Sequence, residues 1–150
     1  MPAVSYFGPE CWQKEAFMSV FHIIYTSHPF GFDESTLGGM LVNARHANAR
    51  SGITGALICR RDIYLQWLEG PEQQVKSTME RIARDRRHTK VKVQVAKFIP
   101  ERIFGEWSML HDPARSWIWT QEEVAGGAAE RSTPGEVVDF FMKVRAAHQI

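Results

Sequence analysis

The sequence predicts an α+β fold, a split βαββαβ sheet with one strand added, and three observations carry that reading. β-branched and aromatic runs alternate with 3.6-residue apolar stripes in the order strand, helix, strand, strand, helix, strand. The candidate central strands are apolar on both alternating sets of positions, so both sheet faces need cover. A late amphipathic segment is available as the second cover.

The first strand is read over Val20-Phe21-His22-Ile23-Ile24-Tyr25-Thr26, broken by His28-Pro29-Phe30-Gly31. A helix follows, capped by Asp33 or Ser35, with Leu37, Met40, Leu41, Ala44 and Asn48 on its inner stripe despite the Gly38-Gly39 pair. Ile53 to Cys59 and Ile63 to Glu69 read as a hairpin across Arg60-Arg61-Asp62. Gly70-Pro71-Glu72 starts the second helix, with Pro71 at its first position and Val75, Met79 and Ile82 as its buried stripe. Val91, Val93 and Val95 alternate with Lys90, Lys92 and Gln94, which predicts a half-exposed strand. A short fifth strand is expected around Trp107 to Leu110.

This order is the ferredoxin-like one, and it makes the first and third strands central neighbours. Phe21, Ile23 and Tyr25 then share a face, as do Tyr64, Gln66 and Leu68, with Leu65 and Trp67 opposite. The two helices cover one face. Thr133 and Glu136 around Pro134 resemble a capping box opening a helix with Val137, Phe140, Phe141 and Val144, which would cover the other. Residues 1–19 are read as an N-terminal extension, 20–112 as the central domain, and 113–150 as a C-terminal helical cap and output segment. The stretches before about Phe17 and from Gly126 to Pro134 look looser.

Composition narrows the function classes. With 150 residues and a formal net charge of +1, no bulk field draws the chain to nucleic acid or an anionic membrane. The basic run Arg81, Arg84, Arg86, Arg87 and Lys90 is interrupted by Asp85, has no stacking aromatics, and reads as a solvated helix end. Two cysteines, Cys11 and Cys59, outside any C-x-x-C spacing argue against a disulfide scaffold or zinc. No apolar run in the N-terminal region suggests a signal peptide or membrane span, so a cytoplasmic setting is expected.

Gln66 is the informative anomaly. An amide in the run Ile63-Tyr64-Leu65-Gln66-Trp67-Leu68 is either surface-facing on an edge strand or buried with partners, because an unpaired buried amide costs about 1–3 kcal/mol. Tyr25, on the neighbouring strand, is a second buried group seeking a partner. Asn48 ends the first helix's inner stripe and is either its C-cap or a third polar group of the same region. Together the three describe a pocket for a planar heteroaromatic ligand with donors and acceptors along one edge.

Five segments give the chain a family resemblance: Ile23-Ile24-Tyr25-Thr26-Ser27, Asn48 to Leu57, Tyr64 to Pro71, Arg84 to His88, and Trp107-Ser108-Met109. In this order and spacing, over about residues 20–112, they resemble BLUF domains, which sense blue light using flavin. The resemblance implies a bound flavin, FAD or FMN, between the two helices, walled by Met40, Ile53 and Leu57, with Asn48 on its C4 carbonyl and N3–H edge. It places Arg81 towards the C2 carbonyl and Asp85, Arg87 and His88 around the ring edge and phosphate end. It makes Tyr25 the electron donor and Gln66 the amide that rearranges, by rotation or tautomerisation, with Trp107 and Met109 in signal output. Ala47 departs from the family, many members of which carry a polar residue there.

No effector domain is evident in the sequence, so output is expected through a downstream protein in trans or a change of homo-oligomer, with no enzymatic activity, nucleic acid or membrane involved. Two other readings stay open: a flavin-free ferredoxin-like interaction module, and an acylphosphatase-like hydrolase. The second is weakened because Thr26 to Asp33 contains no Arg or Lys to hold a phosphate.

Overall fold

The computed structural model describes residues 20–31, 34–113 and 117–148. The expected N-terminal extension and the Asp33 cap lie outside the described residues. Strand β1 (Val20–Pro29) leads to helix α1 (Glu34–Ser51), the hairpin β2 (Thr54–Arg60) and β3 (Ile63–Gly70), helix α2 (Glu72–Ala83), and strands β4 (His88–Ile99) and β5 (Leu110–Pro113). Three helices follow: α3 (Gln121–Ala125), α4 (Ala128–Arg131) and α5 (Pro134–Ala147). The sheet order is β4-β1-β3-β2-β5; the four long strands pair antiparallel and β5 runs parallel to β2. The βαββαβ reading therefore holds, with β1 and β3 at the centre.

Each face has its own apolar cluster. Phe21, Ile23, Tyr25, Tyr64 and Leu68 pack with Leu37 and Leu41 of α1 and Val75 and Met79 of α2. On the opposite face Ile24, Leu65 and Trp67 pack under Val137, Phe140, Phe141 and Val144 of α5. The C-terminal segment does cover that second face. Thr133 caps α5, its hydroxyl accepting the Glu136 N–H at 3.2 Å, and Pro134 occupies the first turn.

Four details depart from expectation. The fifth strand begins at Leu110, three residues after Trp107, so Trp107 and Met109 lie in the connection that precedes it. The three valines of β4 do not share a face. The register slips from Ile24↔Val95 to Tyr25↔Val93, a bulge that leaves Gln94 over, so Val95 joins the α5-side cluster while Val91 packs against the other. Pro71 is the N-cap of α2 and not its first helical residue, so it supplies no side-chain cap bond. Finally, the Gly126–Pro134 stretch contains the short helix α4, and Thr120 with Glu123 makes a reciprocal capping box in front of α3.

Candidate functional site

The cleft face of the sheet carries polar groups where an interior would be apolar. Tyr25 and Gln66 are directly paired across β1 and β3, and both are almost wholly buried. The Tyr25 hydroxyl donates to Gln66 Oε1. Gln66 Nε2 in turn donates to Met109 Sδ at 3.3 Å. Burial pushes the Tyr25 phenol far above its ordinary range, with smaller contributions from Tyr64 and Asp85, so it stays protonated and can act as the donor.

Above this row the two helices part over a cleft of about 300 Å³. Met40, Ala47 and Asn48 of α1 line one side, and Thr78, Arg81 and Ile82 of α2 the other. Tyr25, Leu57, Gln66 and Met109 form the floor, and Asp85, Arg87 and His88 one end. Asp85 is clamped by its own neighbour: Arg87 Nε reaches it at 3.0 Å, and that side-chain hydrogen bond holds the carboxyl below its usual range despite partial burial. His88 is fixed at both ring nitrogens, with Nδ1 at 2.7 Å from Ser27 Oγ and Nε2 at 2.9 Å from the Ile82 carbonyl. That carbonyl only accepts, so Nε2 carries the proton, and in the neutral ring Nδ1 accepts from Ser27.

Asn48 does two things. Its Nδ2 donates to the Ser108 carbonyl at 2.8 Å, which ties α1 to the connection before β5. Its Oδ1 and second N–H bond no other described residue while Asn48 lines the cleft, so a donor and an acceptor stand ready for a ligand edge. Arg45 Nε supports the same connection through the Met109 carbonyl at 3.1 Å.

The structure therefore brings Tyr25, Met40, Asn48, Leu57, Gln66, Arg81, Asp85, Arg87, His88 and Met109 around one cleft. Ile53 is not among them. At 1% exposed it sits in the core beneath α1 and α2, because it precedes β2, where the chain has already turned under the helix end. Trp107 does not line the cleft either: it is half-buried and packs towards Phe104 on the α5 side, at 6.4 Å between ring centroids. Tyr64, Thr78 and Ile82 were not singled out as cleft residues from sequence. Two-residue spacing from Gln66 marks Tyr64, the α2 stripe marks Ile82, and Thr78 shares that face by its spacing of three from Val75 and four from Ile82.

A cleft between two helices, floored by a tyrosine–glutamine pair from the two central strands of a ferredoxin-like sheet, defines a binding site suited to a planar heteroaromatic ring. The BLUF family model, described as sensors of blue-light using FAD, matches residues 20–110, and the chain belongs to that family. It is 35% identical over 89 residues to the blue light- and temperature-regulated antirepressor BluF of Escherichia coli (strain K12), covering 58% of this chain and 22% of that protein. It is 34% identical over 74 residues to photoactivated adenylate cyclase subunit beta of Euglena gracilis, covering 49% of this chain and 9% of that one. The chain thus spans less than a quarter of either relative. Among solved structures, the BlsA ground state matches with a TM-score of 0.74 at 25% identity, over 87% of this chain and 91% of that one. The dark state of BlrB matches at 0.70 and 22% identity, over 85% and 96%, a likeness of fold. Among the described residues no helix is long and apolar enough to cross a membrane, and no cluster of His, Cys, Asp and Glu could hold a metal ion.

Proposed function

We propose that this chain is a blue-light photosensor, not an enzyme, in which Tyr25 and Gln66 convert light absorbed by a flavin in the cleft into a changed hold on Met109. The observation that carries it is the unbroken row Tyr25 hydroxyl, Gln66 amide, Met109 thioether on the cleft floor. The donor set fits a flavin ring: Asn48 offers an acceptor and an N–H, Gln66 a second N–H, and Arg81 a cation on the opposite wall. Met40 and Leu57 supply apolar contact, and Asp85, Arg87 and His88 the polar end. Ala47 adds no polar contact at its position on α1.

Bound flavin supplies light absorption and a one-electron acceptor. Tyr25 gives up an electron, and its phenolic proton moves to Gln66 Oε1, the atom it already bonds. Electron and proton then return to Tyr25, and Gln66 is left rearranged. Rotation of the amide would set Oε1, an acceptor, against the Met109 sulfur, also an acceptor; tautomerisation would leave the nitrogen one N–H for two neighbours. Both weaken the bond to Met109. A local bonding change becomes a signal when it biases a two-state element, which we take to be the Trp107–Met109 connection with α5.

Residues 20–112 form the sensing unit in this reading and 113–150 the output segment. Output passes to a cytoplasmic protein in trans or through a change of homo-oligomer, in keeping with the antirepressor and cyclase names of the relatives. An absorption spectrum of the purified protein before and after blue light tests the reading. A yellow protein with a small, thermally reversible red shift supports it; a protein that takes up no flavin contradicts it.

A further inference from the structure

Glu69 lies three residues from Gln66 on β3, on the opposite sheet face, and is wholly buried. Its carboxylate accepts four hydrogen bonds. Oε1 takes the Trp67 indole N–H at 2.9 Å and the Ile103 backbone N–H at 2.8 Å. Oε2 takes the Thr54 hydroxyl at 2.7 Å and the Phe104 backbone N–H at 2.8 Å. A buried carboxylate is tolerated when its lone pairs are filled in this way, and truncating it strands the donors instead. A cation stands one step away: Arg102 donates to Thr54 Oγ1 at 2.9 Å and to the Gly52 carbonyl at 2.8 Å.

Two of those four donors belong to the connection between β4 and β5, the segment whose other end Gln66 holds through Met109. One strand therefore grips one segment at two points, from opposite faces of the sheet. The middle is held by backbone bonds, Trp107 N–H to the Phe104 carbonyl at 3.0 Å and Gly55 N–H to the Trp107 carbonyl at 3.1 Å. The close approach of β2 to β3 needs glycine at 55, since a Cβ there would lie 1.9 Å from the Trp67 carbonyl oxygen. The gripped segment also touches the output helix: Arg145 Nε donates to the Ile103 carbonyl at 3.2 Å, and Phe104 packs on Phe141 with ring centroids 6.2 Å apart.

We propose that Glu69 is a positioning residue for light signalling, the fixed anchor of the 103–109 segment about which the Met109 end moves when Gln66 lets go. This rests on the light-sensing reading above. The Ile103–Phe104 end stays bonded to β3 and α5 in both states, so a change at Gln66 is turned into a reorientation of Trp107 relative to α5, not a general loosening. Without the anchor the two ends move independently, and the flavin event no longer reaches the helix.

The test is Glu69→Gln in the flavin-loaded full chain, which keeps size but replaces one acceptor oxygen with a donor. The red shift should remain, because Glu69 lies across the sheet from the cleft. Dark recovery should change by about threefold to tenfold, the span of one ordinary hydrogen bond. The light-induced change in hydrogen exchange over residues 134–147 should fall by about half or more. Wild-type recovery together with a wild-type exchange difference would overturn the proposal, and so would a lower melting temperature as the sole effect. Thr54→Val removes one of the four donors, together with the Arg102 bond to the same hydroxyl, while leaving the Ile103 and Phe104 N–H groups in place, and guards against a Glu69 variant that fails to fold. It should shift both readouts in the same direction by about twofold, and wild-type values in both would overturn the anchor. A wild-type protein with no red shift would overturn the light-sensing reading and this proposal with it; a normal wild-type shift with an unaltered Glu69 variant overturns this proposal alone.

Discussion

The two faces of one sheet treat their polar groups in opposite ways. On the cleft face, Gln66 and Asn48 spend only part of their hydrogen-bonding capacity on the protein and turn the rest towards an open cleft. On the α5 face, Glu69 is fully satisfied by four donors. Incomplete satisfaction marks where a ligand belongs, and complete satisfaction marks a structural joint. Among the described residues the α5 face has one exception. His22 is buried against Trp67, with 4.4 Å between ring centroids, and neither ring nitrogen has a hydrogen-bond partner among those residues.

Breaking the cleft side at its donor should have the largest effect. Tyr25→Phe removes the hydroxyl that donates to Gln66 and nothing else, so the protein should bind flavin, appear yellow and show no light-induced red shift. A normal shift in that variant would remove Tyr25 from the mechanism. The matching break on the α5 side is structural. Phe141 is fully buried and meets both Trp67 and Phe104, so Phe141→Ala should cost about 3–5 kcal/mol in denaturant unfolding. Its flavin spectrum in the folded fraction should stay close to that of the wild type.

Asn48→Ala probes the residue that serves both ligand and connection. Loss of its amide should weaken flavin binding by about tenfold, one to two hydrogen bonds' worth, as measured by titration of the flavin-free protein. An unchanged affinity would confine Asn48 to its bond with Ser108. Near neutral pH the smallest effect falls on His22. Burial, with the nearby Lys97 charge, pulls its ring down from 6.5 to about 4. Between those values the unfolded chain binds a proton that the folded one does not, so stability is complete above about pH 6.5 and falls as the pH drops towards 4. His22→Phe should flatten that part of the stability profile, and an unchanged slope would mean that other groups set it.

The contrast between the faces also explains what could be read from sequence. β1 and β3 were legible because apolar positions on both sets force a central placement, and Gln66 stood out by interrupting such a run. The α5 cover was legible from Thr133, Glu136 and an apolar stripe. The bulge at Gln94 was not, because alternation along Val91, Val93 and Val95 carries no mark of an extra residue. Nor was the inward turn of Met109 and outward packing of Trp107, since both precede β5 in irregular backbone. Ile53 looked like a cleft wall because the segment resembling the family runs through it, but its position before β2 sends it into the core. Glu69 was invisible as a joint because two of its four donors are main-chain N–H groups 34 and 35 residues away.

In this reading Gln66 stores the effect of light by weakening its bond to Met109 and strengthening one to the flavin. Light-minus-dark infrared difference spectra of the wild type and of Gln66→Leu test it most directly, because a strengthened hydrogen bond lowers a carbonyl stretching frequency. The wild type should show a downshifted flavin carbonyl band that decays in the dark, and Gln66→Leu should bind flavin and show no such band. The same downshift in Gln66→Leu would contradict the account.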